Sequence, residues 1–200
     1  MPTITSIKKQ KSFNRVNVYL DGKFGFGIDL DSFVKLNLRV EQELTEAEVG
    51  QVVKKAEFQK TYEKILKYST LRPRSKKELT DWLKRKKIHR SIYTKLFNRL
   101  KRLELIDDYK FAQWWVSQRI QFRGKSTLEI TQELHQKGID RNIIKKILGK
   151  SNINEDKIIV KLINKNKWRW SKYDKDLRKK KMRDYLMRRG FRWDAVKKFI

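Results

Sequence analysis

Arg72-Pro73-Arg74-Ser75-Lys76-Lys77-Glu78-Leu79 returns fifty-one positions later as Arg123-Gly124-Lys125-Ser126-Thr127-Leu128-Glu129-Ile130. Both copies continue in register: Leu83 pairs with Leu134, Ile88 with Ile139, Ile92 with Ile143 and Leu96 with Ile147. A looser third copy follows at a shift of 52, in which Ile130, Leu134, Gly138, Ile139, Ile143 and Ile147 correspond to Met182, Leu186, Gly190, Phe191, Ala195 and Phe199. Self-similarity at a fixed period means that each unit is one supersecondary block stacked on its neighbours. The fold expected is mainly α: tandem three-helix units in an elongated, curved array. Function is then sought on the surface of the array, since such stacking builds no single deep cleft.

Caps and apolar spacing divide each unit into three helices. In the first unit they cover about 58–69, 75–86 and 90–102. In the second, Asp107 or Asp108, Ser126 and Asp140 are the N-caps and Gly138 closes the middle helix. In the third, Ile158 to Ile163, Leu177 to Leu186 and Ala195 to Phe199 mark the helices. Ahead of the array, Val16, Val18 and Leu20 alternate with polar residues, Asp21-Gly22 is a two-residue turn, and Phe24, Phe26 and Ile28 alternate again. This predicts a hairpin, with Ile4 and Ile7 on a third strand and a short helix over 31–38. Thr45 and Glu48 form a capping box that opens a helix continuous with Phe58 and Ile65. The expected organisation is an N-terminal β-hairpin module (1–44), a connecting helix (45–57) and three repeats (58–106, 107–149 and 150–200). Lys150 to Asp156 is the expected flexible link between the last two.

The net charge is +28, and it is unevenly placed. Residues 1–57 carry a net +1, 58–106 a net +12, 107–155 a net +3 and 156–200 a net +12. Such density stores repulsion that a polyanion relieves. The outer repeats are the expected binding surfaces and the middle one a spacer or protein contact. There are no cysteines, which excludes disulfides and thiolate chemistry and suits a reducing, cytoplasmic compartment. No apolar run reaches the roughly 18 residues needed to span a bilayer. Lys8, Lys9 and Lys11 are followed by no apolar stretch, so no signal peptide is expected.

Enzymatic signals do not hold together. Gly124-Lys125-Ser126 resembles the end of a phosphate-binding loop, but the first glycine of that motif falls on Arg119; Gly25-Phe26-Gly27 needs a further glycine at Leu30 to complete a dinucleotide fingerprint. Asp107-Asp108 is explained by helix capping, and His89 and His135 lie in different repeats where the sequence offers no acidic residue or second histidine at ligand spacing. No catalytic residues, metal ligands or cofactor are expected.

Basic clusters remain. Arg72, Arg74, Lys76 and Lys77 surround one helix N-terminus, and Arg123 and Lys125 the equivalent one. Free N–H groups with added cations make a phosphate site, with structural salt bridges as the alternative reading. In the third repeat Lys167, Arg169, Lys172, Lys179 and Lys180 interleave with Trp168, Trp170 and Tyr173, which suits base stacking or, equally, a core. Trp114 and Trp115 are adjacent on one helix and cannot share one core. Trp115 takes the periodic apolar position, leaving Trp114 to meet a neighbouring repeat or a partner protein.

The run Arg72-x-Arg74-Ser75-x-x-Glu78-Leu79, then Leu105-Ile106-Asp107-Asp108-x-x-Phe111-Ala112-x-x-Trp115-Val116-x-x-Arg119, then Gly124-Lys125, Ile130, Glu133-Leu134 and Lys137-Gly138-Ile139, resembles the RecX family of bacterial recombination regulators. The resemblance covers 58–148 well and the third repeat weakly, and the N-terminal extension is similar to that of Gram-positive members. Two departures stand out: Lys87 occupies the position matching Gly138, and the chain stops at Ile200, earlier than expected for a member with this extension. The resemblance implies a monomeric regulator that binds the RecA recombinase filament and its single-stranded DNA, with duplex DNA as a further ligand, and that inhibits filament assembly, ATPase and strand exchange. The rival readings are a general nucleic-acid-binding helical repeat protein without a recombinase partner and a pure protein scaffold.

Overall fold

The computed structural model describes residues 1–10 and 14–200; Lys11 lies outside them. The described residues fold into two compact units, one of residues 1–71 with 90–96 and the other of residues 72–89 with 97–200.

In the first unit, β1 (Ile4–Lys9), β2 (Arg15–Leu20) and β3 (Lys23–Asp29) form an antiparallel sheet in the order β1-β2-β3. Asp21 and Gly22 both take positive φ, 47° and 78°, the backbone of the two-residue turn that matches strand twist. Alternation places Ile4, Val16, Val18, Phe26 and Ile28 in one core with Val52 and Ala56. The latter two lie on α2 (Glu46–Thr70), which follows the short α1 (Leu30–Lys35). The expected capping box is present: Glu48 N–H donates to Thr45 Oγ1 at 3.2 Å, and Thr45 N–H to Glu48 Oε2 at 2.8 Å. Helix α2 passes Phe58 and Ile65 without a break, as its apolar spacing predicts.

The second unit contains α3 (Lys76–Arg85), then, beyond α4 (Tyr93–Arg102), α5 (Asp108–Gln118), α6 (Thr127–Gln136), α7 (Arg141–Lys150), α8 (Glu155–Trp170), α9 (Lys175–Arg188) and the short α10 (Trp193–Val196). Phe111, Ala112, Trp115 and Val116 on α5 pack with Ile130, Leu134, Ile144 and Ile147 in the core of the second repeat. Ile158, Ile159, Leu162, Leu186, Phe191 and Val196 form that of the third. Within the expected link, Ile153 is partly buried against both cores, as is Ile120 outside it. The fold is mainly helical, with three-helix repeats that follow a small N-terminal sheet in the sequence, as the periodicity predicts.

The turn after the middle helix of each repeat shows what replaces a glycine. Gly138 and Gly190 take φ of 76° and 75°, and Lys87, at the matching position, takes 55°. Lys87 therefore adopts the left-handed conformation despite its side chain. Ile88 N–H still reaches Leu83 O at 3.1 Å, as Ile139 N–H reaches Leu134 O at 3.0 Å. Tertiary packing sets this turn, and the lysine bears the conformational cost.

Candidate nucleic-acid interface

The turns expected to hold phosphate are joints between repeats. Ser75 caps α3, accepting from Glu78 N–H at 3.1 Å, while its hydroxyl donates to Lys137 O at the end of α6, 2.8 Å away. Lys77 Nζ donates to Gln136 O at 2.7 Å, and Lys76 N–H donates to Asp108 Oδ1 at 2.8 Å. The next joint repeats the plan. Ser126 caps α6, Thr127 N–H donates to Glu155 Oε1 at 2.7 Å, and a Cβ built on Gly190 would lie 2.6 Å from Ser126 Oγ. Hence the N–H groups of Lys76, Glu78, Thr127 and Glu129 already have protein acceptors, and the expectation that these helix N-termini offer free N–H groups to a phosphate does not hold there. Asp107 and Asp108 are both caps, but of different helices: Asp107 accepts from Tyr109 and Lys110 N–H on its own helix, and Asp108 from the preceding repeat.

At the first joint Arg72 and Lys137 are neutralised. Arg72 donates through both Nη atoms to Glu78, at 3.1 and 2.9 Å, and Lys137 Nζ lies 2.6 Å from the same carboxylate. The Glu78 side chain is 11% exposed. Burial acts to raise its pKa, but hydrogen bonds and charge from Arg72 and Lys137 outweigh it and hold the carboxyl below the usual range. The Arg72 guanidinium lies over Trp114 and Trp115, at 5.5 and 5.9 Å. Trp114 is half-buried against the second core and meets the preceding repeat through Arg72, the first of the two directions open to it. Arg74 is half-buried; Lys76 is exposed. Within the second repeat, Glu133 accepts from Trp115 Nε1 at 2.7 Å and Arg119 Nε at 2.5 Å, and pairs with Lys125 at 2.9 Å. Burial opposes ionisation of Glu133 as well, yet these donors hold its pKa low. Lys125 also pairs with Glu129. Burial works against the charge of Lys125, and the two carboxylates more than restore it.

Between the second and third repeats Arg123, Lys161, Lys165 and Arg169 are exposed instead. A groove of about 490 Å³ is lined by Arg123 and Lys125 from one side and Lys161, Lys165 and Arg169 on α8 from the other, with Arg189 and Tyr185 at its end. Two clusters separated in sequence by some forty residues are thereby brought together. A second hollow, lined by Trp168, Lys172, Tyr173, Lys181 and Arg188, shares Arg169 and Tyr185 with the first, so the basic surface continues around α8. The tryptophans divide: Trp170 is 6% exposed, its ring 5.4 Å from Tyr185, whereas Trp168 is 74% exposed. Lys167, Lys179 and Lys180 are exposed and line neither hollow.

Sequence reasoning missed the element that shapes the groove. Arg119–Arg123 continues α5 as one π-helical turn ending at Gly124, whose φ is 56°. Such turns are rare and frequently lie at functional sites. This one leaves Phe122 65% exposed at the groove. The sequence signal, Phe-Arg-Gly before a capping serine, does not distinguish a π turn from an ordinary helix end. Among the described residues no cluster of His, Asp and Glu is placed to hold a metal, and no helix is long and apolar enough to cross a membrane.

Three-helix units bearing a cationic surface define the class as a basic helical-repeat protein. The family models make the class specific: residues 2–45 match the regulatory protein RecX N-terminal domain, 107–148 the RecX second three-helix domain and 154–200 the RecX third three-helix domain. The chain belongs to the RecX family. It is 34% identical to the regulatory protein RecX of Bacillus licheniformis over 202 residues, covering 98% of this chain and 75% of that protein, and 31% identical to that of Bacillus subtilis with the same coverage. A crystal structure of regulatory protein RecX superposes with a TM-score of 0.70 at 25% identity, covering 98% of each chain. That of RecX from Lactobacillus salivarius gives 0.58 at 28% identity, covering 70% of this chain and 92% of the other.

Proposed function

We propose that the protein regulates the RecA recombinase: it binds the RecA–DNA filament in the cytoplasm and inhibits filament assembly, ATP hydrolysis and strand exchange, without catalytic chemistry of its own. The observation that carries this reading is membership of the RecX family, with models matching the N-terminal, second and third domains. The continuous cationic surface from Arg123 around α8 to Lys181 supports the nucleic-acid part of it. A filament offers a polyanion and a protein surface together. Contact with both discriminates between RecA-coated and bare DNA, which charge alone cannot.

The test is a binding comparison. Labelled single-stranded DNA, bare or coated with RecA and a non-hydrolysed nucleotide, is titrated with the protein at one salt concentration. Tighter binding to the coated strand is expected. Equal affinity for both rejects the recombinase reading in favour of a general nucleic-acid-binding repeat protein.

A further inference from the structure

The two joints between repeats follow one plan, yet only one is filled. When α5 and α8 are aligned on their buried positions, Phe111, Ala112, Trp115 and Val116 correspond to Ile158, Ile159, Leu162 and Ile163. Trp114 then corresponds to Lys161 and Gln118 to Lys165. The repeat period likewise maps Arg72 to Arg123, Glu78 to Glu129 and Lys137 to Arg189.

At the first joint these positions close on themselves. Glu78 takes both Arg72 and Lys137, and the two tryptophans lie under Arg72. At the second joint the same positions do not. Glu129 pairs with Lys125, a cation from its own repeat. Arg189 instead donates to the carbonyl of Arg123 at 3.1 Å and lies over Tyr185 at 4.8 Å. With lysine in place of Trp114 and leucine in place of Trp115, the space occupied by indoles at one joint is the open groove at the other. Six cations line it against a single acid, Glu129, whose charge Lys125 already meets. Lys125 is met by Glu129 and Glu133; the other five cations share one groove, where like charges repel, and a ligand bearing regularly spaced negative charges removes that cost.

We propose that this groove binds one strand of single-stranded nucleic acid, with backbone phosphates on Arg123, Lys161, Lys165 and Arg169 and a base stacked on Phe122. Two features favour a strand over an acidic peptide. Phe122 is 65% exposed beside the cations, held out by a π-helical turn, and a free base stacks on such a ring. The aromatic surface also continues past Tyr185 to Trp168, so successive bases meet aromatic faces while the phosphates meet cations. A duplex keeps its bases stacked inside and leaves Phe122 no role. The proposal rests on the nucleic-acid contact in the proposed function and locates it.

The experiment uses the full chain and a fluorescent oligothymidylate without RecA, so that it is independent of recombinase regulation. Anisotropy titrations across a salt series give the affinity and its salt slope. Removing two phosphate contacts with Lys161→Ala and Lys165→Ala lowers the slope by about 1.4, each single-strand contact contributing about 0.7. Phe122→Ala weakens binding about tenfold and leaves the slope unchanged, since stacking releases no counterion. The charge-matched double change Lys145→Ala and Lys150→Ala, on α7, serves as control. All five side chains changed are exposed on helices or at the π turn, and far-ultraviolet circular dichroism checks that each variant folds. Equal losses from the α7 control overturn the groove while leaving nucleic-acid binding intact. Displacement of the oligonucleotide by polyglutamate at equal charge concentration, with the same sensitivity to Phe122→Ala, reassigns the groove to an acidic peptide. No binding by the unaltered protein at low salt overturns the proposal outright, and RecA ATPase inhibition then still reports on the regulator reading by itself.

Discussion

Asp108 accepts the backbone N–H of Lys76 at 2.8 Å, so the first residue of α5 caps a helix in the repeat before its own. Glu155 does the same for Thr127 at the following joint, 2.7 Å away. Capping here is a device of assembly: the acid that completes one repeat's middle helix belongs to the next repeat. Replacing Asp108 with alanine removes a cap worth about 1 kcal/mol. Chemical denaturation should show a loss of that size for Asp108→Ala and for Glu155→Ala alike, with oligonucleotide affinity unchanged. A loss confined to one of them would contradict the equivalence of the joints.

The Arg72–Glu78–Lys137 network predicts both a mutational and a pH effect. Glu78→Gln exchanges a charged acceptor for a neutral one beneath two cations and costs about 2 kcal/mol. Glu78 and Glu133 both have folded pKa values below their unfolded 4.5. Their contribution to stability is complete above pH 4.5 and disappears as pH falls through the lower folded values. Asp108 acts in the opposite sense: burial, only partly offset by the Lys76 N–H, raises its pKa above 3.8, so its protonation favours the folded state. Thermal melts between neutral pH and about pH 3 should show falling stability in acid, less steeply in Glu78→Gln.

Lys87 holds a left-handed backbone that Gly138 and Gly190 hold without side-chain penalty. Lys87→Gly should therefore stabilise the protein by about 1 kcal/mol, the relief of left-handed strain exceeding the added chain entropy of the unfolded state. A destabilised variant would mean that the lysine side chain supplies contacts worth more than the strain.

Two tryptophans two residues apart should behave oppositely. Trp170→Ala opens a cavity against Tyr185 and costs about 3 kcal/mol or more. Trp168→Ala, at an exposed position, leaves the melting temperature nearly unchanged and weakens single-strand binding by several-fold if bases continue past Tyr185.

What was legible in the sequence follows from what repeats report. Ser75 and Ser126, Leu83 and Leu134, Gly138 and Gly190 recur because each has the same neighbours in its own copy, so period and caps reveal helices and their order. The capping box at Thr45 and the turn at Asp21-Gly22 are local chemistry and equally readable. The ionic partners were not. That Arg72 is satisfied by Glu78, and Arg123 is not satisfied by Glu129, depends on Lys125, Lys137 and Arg189 arriving from some distance along the chain. Periodicity made the two arginines look alike, and their surroundings separate them. The π turn at Arg119–Arg123 was invisible because no residue type demands it.

The regulator reading is tested most directly by the rate of RecA ATP hydrolysis on single-stranded DNA with this protein added well below one molecule per RecA. Inhibition at substoichiometric ratios is predicted, weaker for the Lys161→Ala and Lys165→Ala double variant. An unchanged rate at every ratio up to equimolar would contradict it.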